Sequence, residues 1–423
     1  MFGTLFPGVQ PARYGIVAAL LCAAHAQAAD WTLLRVPGIE VYTDASGRAA
    51  RQTIDRLEQI RGLLGSPAKP DLIPLRVFLF AKTGEYLEFA PNAETAGFYQ
   101  SGFERDYIVT SAGSPLDRVV AHEYVHFVAN ERDVIRPVWL EEGLADFYST
   151  FDGKHLGAPV REHLRRLELS NWLSAAEMNS PRELTDIFYA QSWALVHMLR
   201  SRPPFPDRIT SDMVTELRQY VRSMRATPVK VPTTAMAAPS SQPVSALEAV
   251  LLRADLAVRT GHGVLAHQLY AQAAREYPGS SSAATGVAML ALGDGDRDKA
   301  SAELQRALAL NDRDAQAWFQ LAVMTNDDGA LAKAVELDPS FGEARVLLGV
   351  HATDDGDIDA ALEHLQQAAR LMPRKSYVWY SLGYAQQKQG DPAAARRSLE
   401  RALQTAATQE QRSMAATLLD SLL

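Results

Sequence analysis

Between Gly261 and Gly390 the chain repeats itself, and no other feature restricts its fold as strongly. Gly261, Gly295 and Gly329 are 34 residues apart (295 − 261 and 329 − 295), and Gly356 and Gly390 are 34 apart again. Ala266, Ala300, Ala361 and Ala395 each follow a glycine by five, and Pro339 and Pro373 are also 34 apart. The step from Gly329 to Gly356 is only 27, which is 7 short. A unit of this size cannot bury its apolar face alone, so units must stack and cover one another. The expectation over residues 247–423 is an all-α solenoid of four fuller helix pairs and one shortened pair. The shortening is expected in the second helix of the Gly329–Pro339 unit, by about two turns.

The residues at the repeating positions carry a resemblance. Trp379, Leu382, Gly383 and Tyr384, followed by Ala395 and Ala402 in the next helix, resemble the tetratricopeptide repeat. The resemblance implies a concave surface that takes peptides or partner proteins. Asp294-Gly295-Asp296-Arg297-Asp298 opens like a calcium loop, but Lys299 stands where that loop needs glycine and Gln305 where it needs glutamate. These aspartates are expected to cap helices instead.

The other end of the chain reads differently. Arg13, the apolar run Tyr14–Ala24 and the small residues Ala24, Ala26 and Ala28 form a secretory leader over residues 1–29. The expected location is therefore exported, in the periplasm. Cys22 is the one cysteine of the chain and lies inside the leader, so the mature chain is expected to hold no disulfide. No later stretch is apolar enough for a transmembrane helix. The net charge is −8 with no basic cluster, which argues against a nucleic-acid partner.

Residues 30 to about 115 read as mixed α/β. Ile39–Thr43 alternates like a strand, Arg48–Leu64 has helical spacing, and Leu75–Phe80 is a strong strand. Residues 96–100 and 106–110 flank Ser101-Gly102 as a hairpin. A strand at that place can form the edge of a cleft and take an extended peptide by strand addition.

Next comes the chemistry. His122-Glu123-Tyr124-Val125-His126 is H-E-x-x-H on a helix whose Val119, Val120, Tyr124, Phe127 and Val128 form an apolar stripe. Residues four apart share a helix face, so His122 and His126 can aim at one metal ion, with Glu123 placed as a general base. A catalytic zinc needs a third protein ligand. Trp139-Leu140-Glu141-Glu142-Gly143 follows, with Asp146 one turn beyond Glu142. The third ligand is expected at Glu142. Asp146 is placed to accept the outer N–H of a ligating histidine, while Glu141 is expected to be solvated.

H-E-Y-V-H followed by W-L-E-E-G-L-A-D resembles the gluzincin clan of zinc metallopeptidases. The resemblance covers residues 30–230 and implies an α+β zincin-like fold, Zn2+, and peptide hydrolysis. In that clan the glutamate before the glycine is the third ligand, which falls on Glu142, and the acid four residues on falls on Asp146. The stretch Phe188–His197 also resembles a segment of the group, and Tyr189 is the candidate for stabilising the oxyanion, in competition with Tyr148 and Tyr124. His197 lies on an apolar helical run and is expected to be packed; His155 and His163 are expected in loops or at the surface.

Residues 226–246 are rich in Pro, Ser, Thr and Ala and are expected to form an exposed linker between a domain at 30–225 and the repeats, letting the halves fold separately. Two functions remain open. One is an exported zinc peptidase acting on peptide or protein substrates, with repeats that recruit substrate or partner. The other is a repeat-based binding scaffold with an inactive peptidase-like domain.

Overall fold

The structure, a computed structural model of the chain, describes residues 30–66, 73–102, 105–131, 136–224, 228–232, 238–406 and 408–422. The expected leader lies outside the described residues. The N-terminal half contains strands β1 (Thr32–Val36), β2 (Ile39–Thr43), β3 (Leu75–Phe80), β4 (Gly97–Ser101) and β5 (Asp106–Ser111). Helices α1 (Gly47–Leu64) and α2 (Thr83–Leu87) lie among them, and α3 (Leu116–Glu131) and α4 (Val138–Ser149) follow. Then come β6 (His155–Leu156), α5 (Arg161–Leu169), α6 (Ala175–Asn179), α7 (Asp186–Leu199), α8 (Ser211–Ser223), β7 (Val229–Lys230) and β8 (Ser240–Pro243).

One sheet organises this half, in the order β4-β5-β3-β2-β1-β8. The pairs β2–β3 and β3–β5 are parallel, and the remaining neighbours are antiparallel. The expected hairpin is present, with Gly97 opposite Thr110 and Ser101 opposite Asp106. Strand β4 is an edge, as expected of a cleft rim. Side chains alternate across the sheet, and both faces are buried. Leu34, Val41, Val77, Leu79 and Ile108 join one core with residues of α1, α3, α4 and α7. Leu33, Tyr42, Phe78, Phe80, Tyr107 and Val109 belong to a second core on the opposite face.

That second core corrects the expected linker. It continues into Ala249, Val250, Ala254, Ala257, Leu269 and Tyr270 of the first repeat helices. The segment leading there is not a free tether: Ser240–Pro243 pairs with β1, and Val229–Lys230 pairs with His155–Leu156. Its low apolar content concealed this because an edge strand bonds through its backbone and leaves its side chains in water. All four residues of β8 are exposed.

The C-terminal half is helical. Helices α9 (Ala246–Arg259), α10 (Gly263–Glu276), α11 (Ser281–Gly293), α12 (Arg297–Leu310), α13 (Ala315–Thr325) and α14 (Asp328–Leu337) form the first three hairpins. Helices α15 (Gly342–Asp355), α16 (Ile358–Leu371), α17 (Ser376–Gln389) and α18 (Pro392–Gln404) form two more, and α19 (Gln409–Asp420) packs on the end. Each hairpin turns on a residue of positive φ: Gly261, Gly295, Asn326, Gly356 and Gly390. Glycine and asparagine tolerate that left-handed conformation better than other residues. Five pairs are present, as expected, but the register of the short unit differs. Its turn residue is Asn326, and Gly329 lies inside α14. The spacings are then 31 (326 − 295) and 30 (356 − 326), so the missing 7 residues are shared as three and four. Helix α13 has 11 residues and α14 has 10, against 14 in α12 and α15, so both helices of the pair shorten. An aspartate caps four of the five second helices from the residue after the turn, Asp296, Asp327, Asp357 and Asp391, whereas α10 has His262 at that place with no side-chain cap.

Candidate metal centre

Two helices build the centre. Helix α3 buries Val120, Tyr124, Val125 and Val128, leaving His122, Glu123 and His126 half-buried on its other side. Helix α4 starts after Pro137 and buries Trp139 and Leu140. Gly143 explains why α4 sits where it does: a Cβ there would lie 2.4 Å from the Ser192 carbonyl oxygen of α7. Only glycine lets the two backbones approach so closely, and the approach sets Glu142 opposite the α3 histidines.

The candidate ligand atoms converge. Nε2 of His122 lies 3.1 Å from Nε2 of His126, and Glu142 Oε2 lies 3.4 Å from the first and 3.5 Å from the second. Bonds of about 2.0–2.1 Å in a tetrahedron place ligands about 3.3–3.4 Å apart. The triangle therefore fits a zinc-sized ion with an open fourth position. Both Nδ1 atoms face away from the triangle onto carboxylates. His122 Nδ1 is 3.1 Å from Asp146 Oδ1, the expected partner. His126 Nδ1 is 3.3 Å from Glu141 Oε1. Glu141 is thus not simply solvated: one residue before Glu142, its side chain reaches the next ring along α3.

Charge follows geometry. Burial alone would push the His122 ring down, but hydrogen bonds to Asp146 and Glu142 outweigh it and hold the ring well above its ordinary value. Burial is likewise outweighed at His126, where Glu141 and Glu142 raise the ring to about 9. At Glu142 burial opposes the two histidines and loses, leaving the carboxyl at about 2. The metal-free site thus keeps its carboxylates ionised and draws positive charge toward them. Glu123 differs: burial raises its carboxyl above the ordinary value, against the pull of both histidines. Its Oε2 accepts the Tyr99 backbone N–H of β4 at 2.8 Å.

A cavity of about 340 Å³ opens here, lined by Gly97, Arg118, His122, Glu123, Asp146, His163 and Tyr189 among others. Tyr189, on α7, thus shares the cavity with the expected base, and burial pushes its hydroxyl pKa well up, keeping it a donor. His163, expected at the surface, is placed otherwise: its Nε2 is 2.8 Å from Asp146 Oδ2, and its ring leans on Trp193. Asp146 therefore bridges two imidazoles. Sequence spacing could not reveal this, because His163 lies on a separate helix. His197 is packed, as expected, between Phe147, Trp193 and Tyr220, and burial beside Arg200 lowers it to about 4. His155 lies on the short strand β6 opposite Lys230, its partly exposed ring beside Asp152.

The comparisons with known proteins fall on the other half. Tetratricopeptide repeat models match residues 285–340 and 352–419. A TPR repeat-containing protein of Pseudomonas aeruginosa is 46% identical over 61 residues, 14% of this chain and 58% of the relative. Tetratricopeptide repeat protein 36 of Bos taurus is 36% identical over 77 residues, 18% of this chain and 40% of the relative. The chain thus spans less than two-thirds of the length of either curated relative. Among solved structures, Pseudomonas aeruginosa pilF is 17% identical with a TM-score of 0.35, covering 41% of this chain and 88% of that one. YrrB, described as a TPR protein with an unusual peptide-binding site, is 18% identical with a TM-score of 0.31, covering 40% of this chain and 90% of that one.

Proposed function

We propose that this chain joins a zinc-dependent peptidase site to its tetratricopeptide repeats, and that the repeats present substrate or partner proteins to the cleft. The repeats themselves are a protein-interaction module. The hydrolytic reading is carried by one observation: two imidazole nitrogens and a carboxylate oxygen converge at 3.1–3.5 Å beside Glu123.

His122, His126 and Glu142 would hold the ion. Zinc, when bound, supplies Lewis acidity toward a carbonyl and lowers the pKa of a coordinated water. The chain's own residues supply the rest. Glu123 offers a carboxylate of raised basicity, fixed by the Tyr99 amide, to take a proton and return it to a leaving amine. Tyr189 offers a hydroxyl to a developing oxyanion. Strand β4, the terminal strand of the sheet, offers an edge to an extended peptide. The leader pattern of residues 1–29 supports action after export, and no helix among the described residues is long and apolar enough to cross a membrane.

The family matches favour a second reading, since they lie wholly within the repeats: a scaffold whose N-terminal domain is catalytically silent. A metal count on the purified full chain tests the first reading. One zinc per chain, lost in His126→Ala, is the expected result; no bound zinc in the wild type removes the peptidase reading and leaves the scaffold.

A further inference from the structure

The solenoid touches the N-terminal half a second time, far along the chain from the first. Arg374 and Lys375 occupy the turn between α16 and α17. Arg374 Nη2 lies 2.8 Å from Asp106 Oδ2, and Lys375 Nζ lies 3.3 Å from Asp106 Oδ1. The Lys375 ammonium also donates to the Gly102 carbonyl oxygen and reaches Ser101 Oγ at 3.4 Å. Asp106 is 0% exposed, Lys375 9% and Arg374 12%. Charges this deep are stable only while compensated, and removing one side leaves a buried charge unpaired.

The contact lies at the turn end of the β4–β5 hairpin, and it leads to the cleft. Tyr99 donates its hydroxyl to Asp106 Oδ2 at 3.1 Å and accepts from Asn130 Nδ2 of α3 at 2.7 Å. The backbone N–H of the same tyrosine holds Glu123. Ser101 donates to Asp106 Oδ1 at 3.2 Å. The Arg374 guanidinium also lies 4.9 Å from the ring centre of Phe127, beside His126. The neighbouring residue on β5 is gripped too: Tyr107 donates to Asp255 of α9 at 3.1 Å. The edge strand of the cleft is therefore held from the outside by the repeats.

We propose that Arg374 and Lys375 are positioning residues for the hydrolytic cleft: through Asp106 they hold β4, and with it the Tyr99 amide that anchors Glu123. The catalytic consequence rests on the peptidase reading, whereas the holding of β4 rests on the contacts alone. The repeats then brace the cleft's edge strand from behind as well as offering a recruiting surface. This explains why two cations sit buried at an inter-repeat turn, where solvated side chains are the norm.

The test uses the full chain and the variant Arg374→Gln/Lys375→Gln. Hydrogen exchange should quicken at least tenfold at residues 97–101, with zinc content unchanged and kcat for a peptide substrate at least tenfold lower. Adding Asp106→Asn should restore exchange to within about threefold, because it removes the uncompensated charge and can still accept the Tyr99 hydroxyl; a generally weakened fold would gain nothing from it. Unchanged exchange at residues 97–101 in the folded variant overturns the proposal, as does failure of Asp106→Asn to rescue. If the double variant does not fold, Lys375→Met alone should give at least threefold faster exchange there, and no change overturns the proposal equally. Faster exchange in a protein whose wild type cleaves nothing upholds the holding of β4 and removes hydrolysis. Wild-type turnover with no effect of either variant does the reverse.

Discussion

Acidic residues do opposite work in the two halves of this chain. In the repeats, Asp296, Asp327, Asp357 and Asp391 each follow a hairpin turn and cap the next helix. Their role is local and recurs in four of the five units. In the cleft, Glu123, Glu141, Glu142 and Asp146 each bond a different group: the Tyr99 amide, the His126 ring, the pair of Nε2 atoms, and the rings of His122 and His163. None of these could exchange places. A repeated role needs only a periodic sequence, whereas a site needs each residue brought to one point by the whole fold. The comparison also accounts for where similarity was found, since periodic roles recur across many proteins. The sharpest way to test it is to ask whether the two halves are separable at all.

The largest effect is expected from cutting them apart. A fragment ending at residue 232 loses β8 and uncovers the sheet face of Leu33, Tyr42, Phe78, Phe80 and Tyr107. Leaving a large apolar side chain exposed costs about 1.5–3 kcal/mol, so the five together cost roughly 7.5–15 kcal/mol, as much as the roughly 5–15 kcal/mol that stabilises a domain. Residues 30–232 should show no cooperative melting and should aggregate; a fragment extended through residue 276, which adds α9 and α10, should melt cooperatively. A well-folded short fragment would mean that the first repeat pair is a mere neighbour of the sheet.

This separates what the sequence could express from what it could not. Strands at 39–43 and 75–80, the hairpin before α3, and the shared face of His122 and His126 were legible because each follows from spacing within one short stretch; that Glu142 meets them from a second helix followed from the motif resemblance and not from spacing. Strand β1, the role of Ser240–Pro243 and the turn at Asn326 were not legible. The first two depend on pairing between distant segments, and Asn326 replaces the glycine that marks every other turn. The contact of Glu141 with His126 was not legible either: adjacent helical residues point about 100° apart, yet the long, partly exposed side chain spans that angle.

A second, smaller effect isolates the chemistry from the fold. Glu123→Gln keeps the shape and can still accept the Tyr99 N–H, so folding and zinc content should be unchanged. Turnover on a peptide should fall by at least the ~10²–10⁴-fold that general acid–base catalysis supplies. Wild-type turnover in this variant would remove Glu123 as the base and shift the domain toward binding alone.

The smallest effects should rank the supporting carboxylates. Asp146 is buried and accepts from two rings, whereas Glu141 is 37% exposed and makes one contact at 3.3 Å. Asp146→Asn should weaken zinc affinity about 10–100-fold, and Glu141→Gln by less than tenfold. The pH dependence carries the same distinction. His126 rises from its ordinary 6.5 to about 9 in the metal-free protein, so its charge stabilises the fold fully below 6.5 and that contribution is lost as pH rises through 9. Zinc needs the neutral ring, so protons compete with it and affinity should climb across the same window. In Asp146→Asn the hydrogen bond that raises His122 is weakened, so fewer protons compete and the climb should be shallower. Titration against a chromogenic chelator between pH 6.5 and 9 measures affinity and slope together. Equal losses for the two variants, with equal slopes, would mean that burial does not set the rank and that the cleft's carboxylates are as interchangeable as the caps of the repeats.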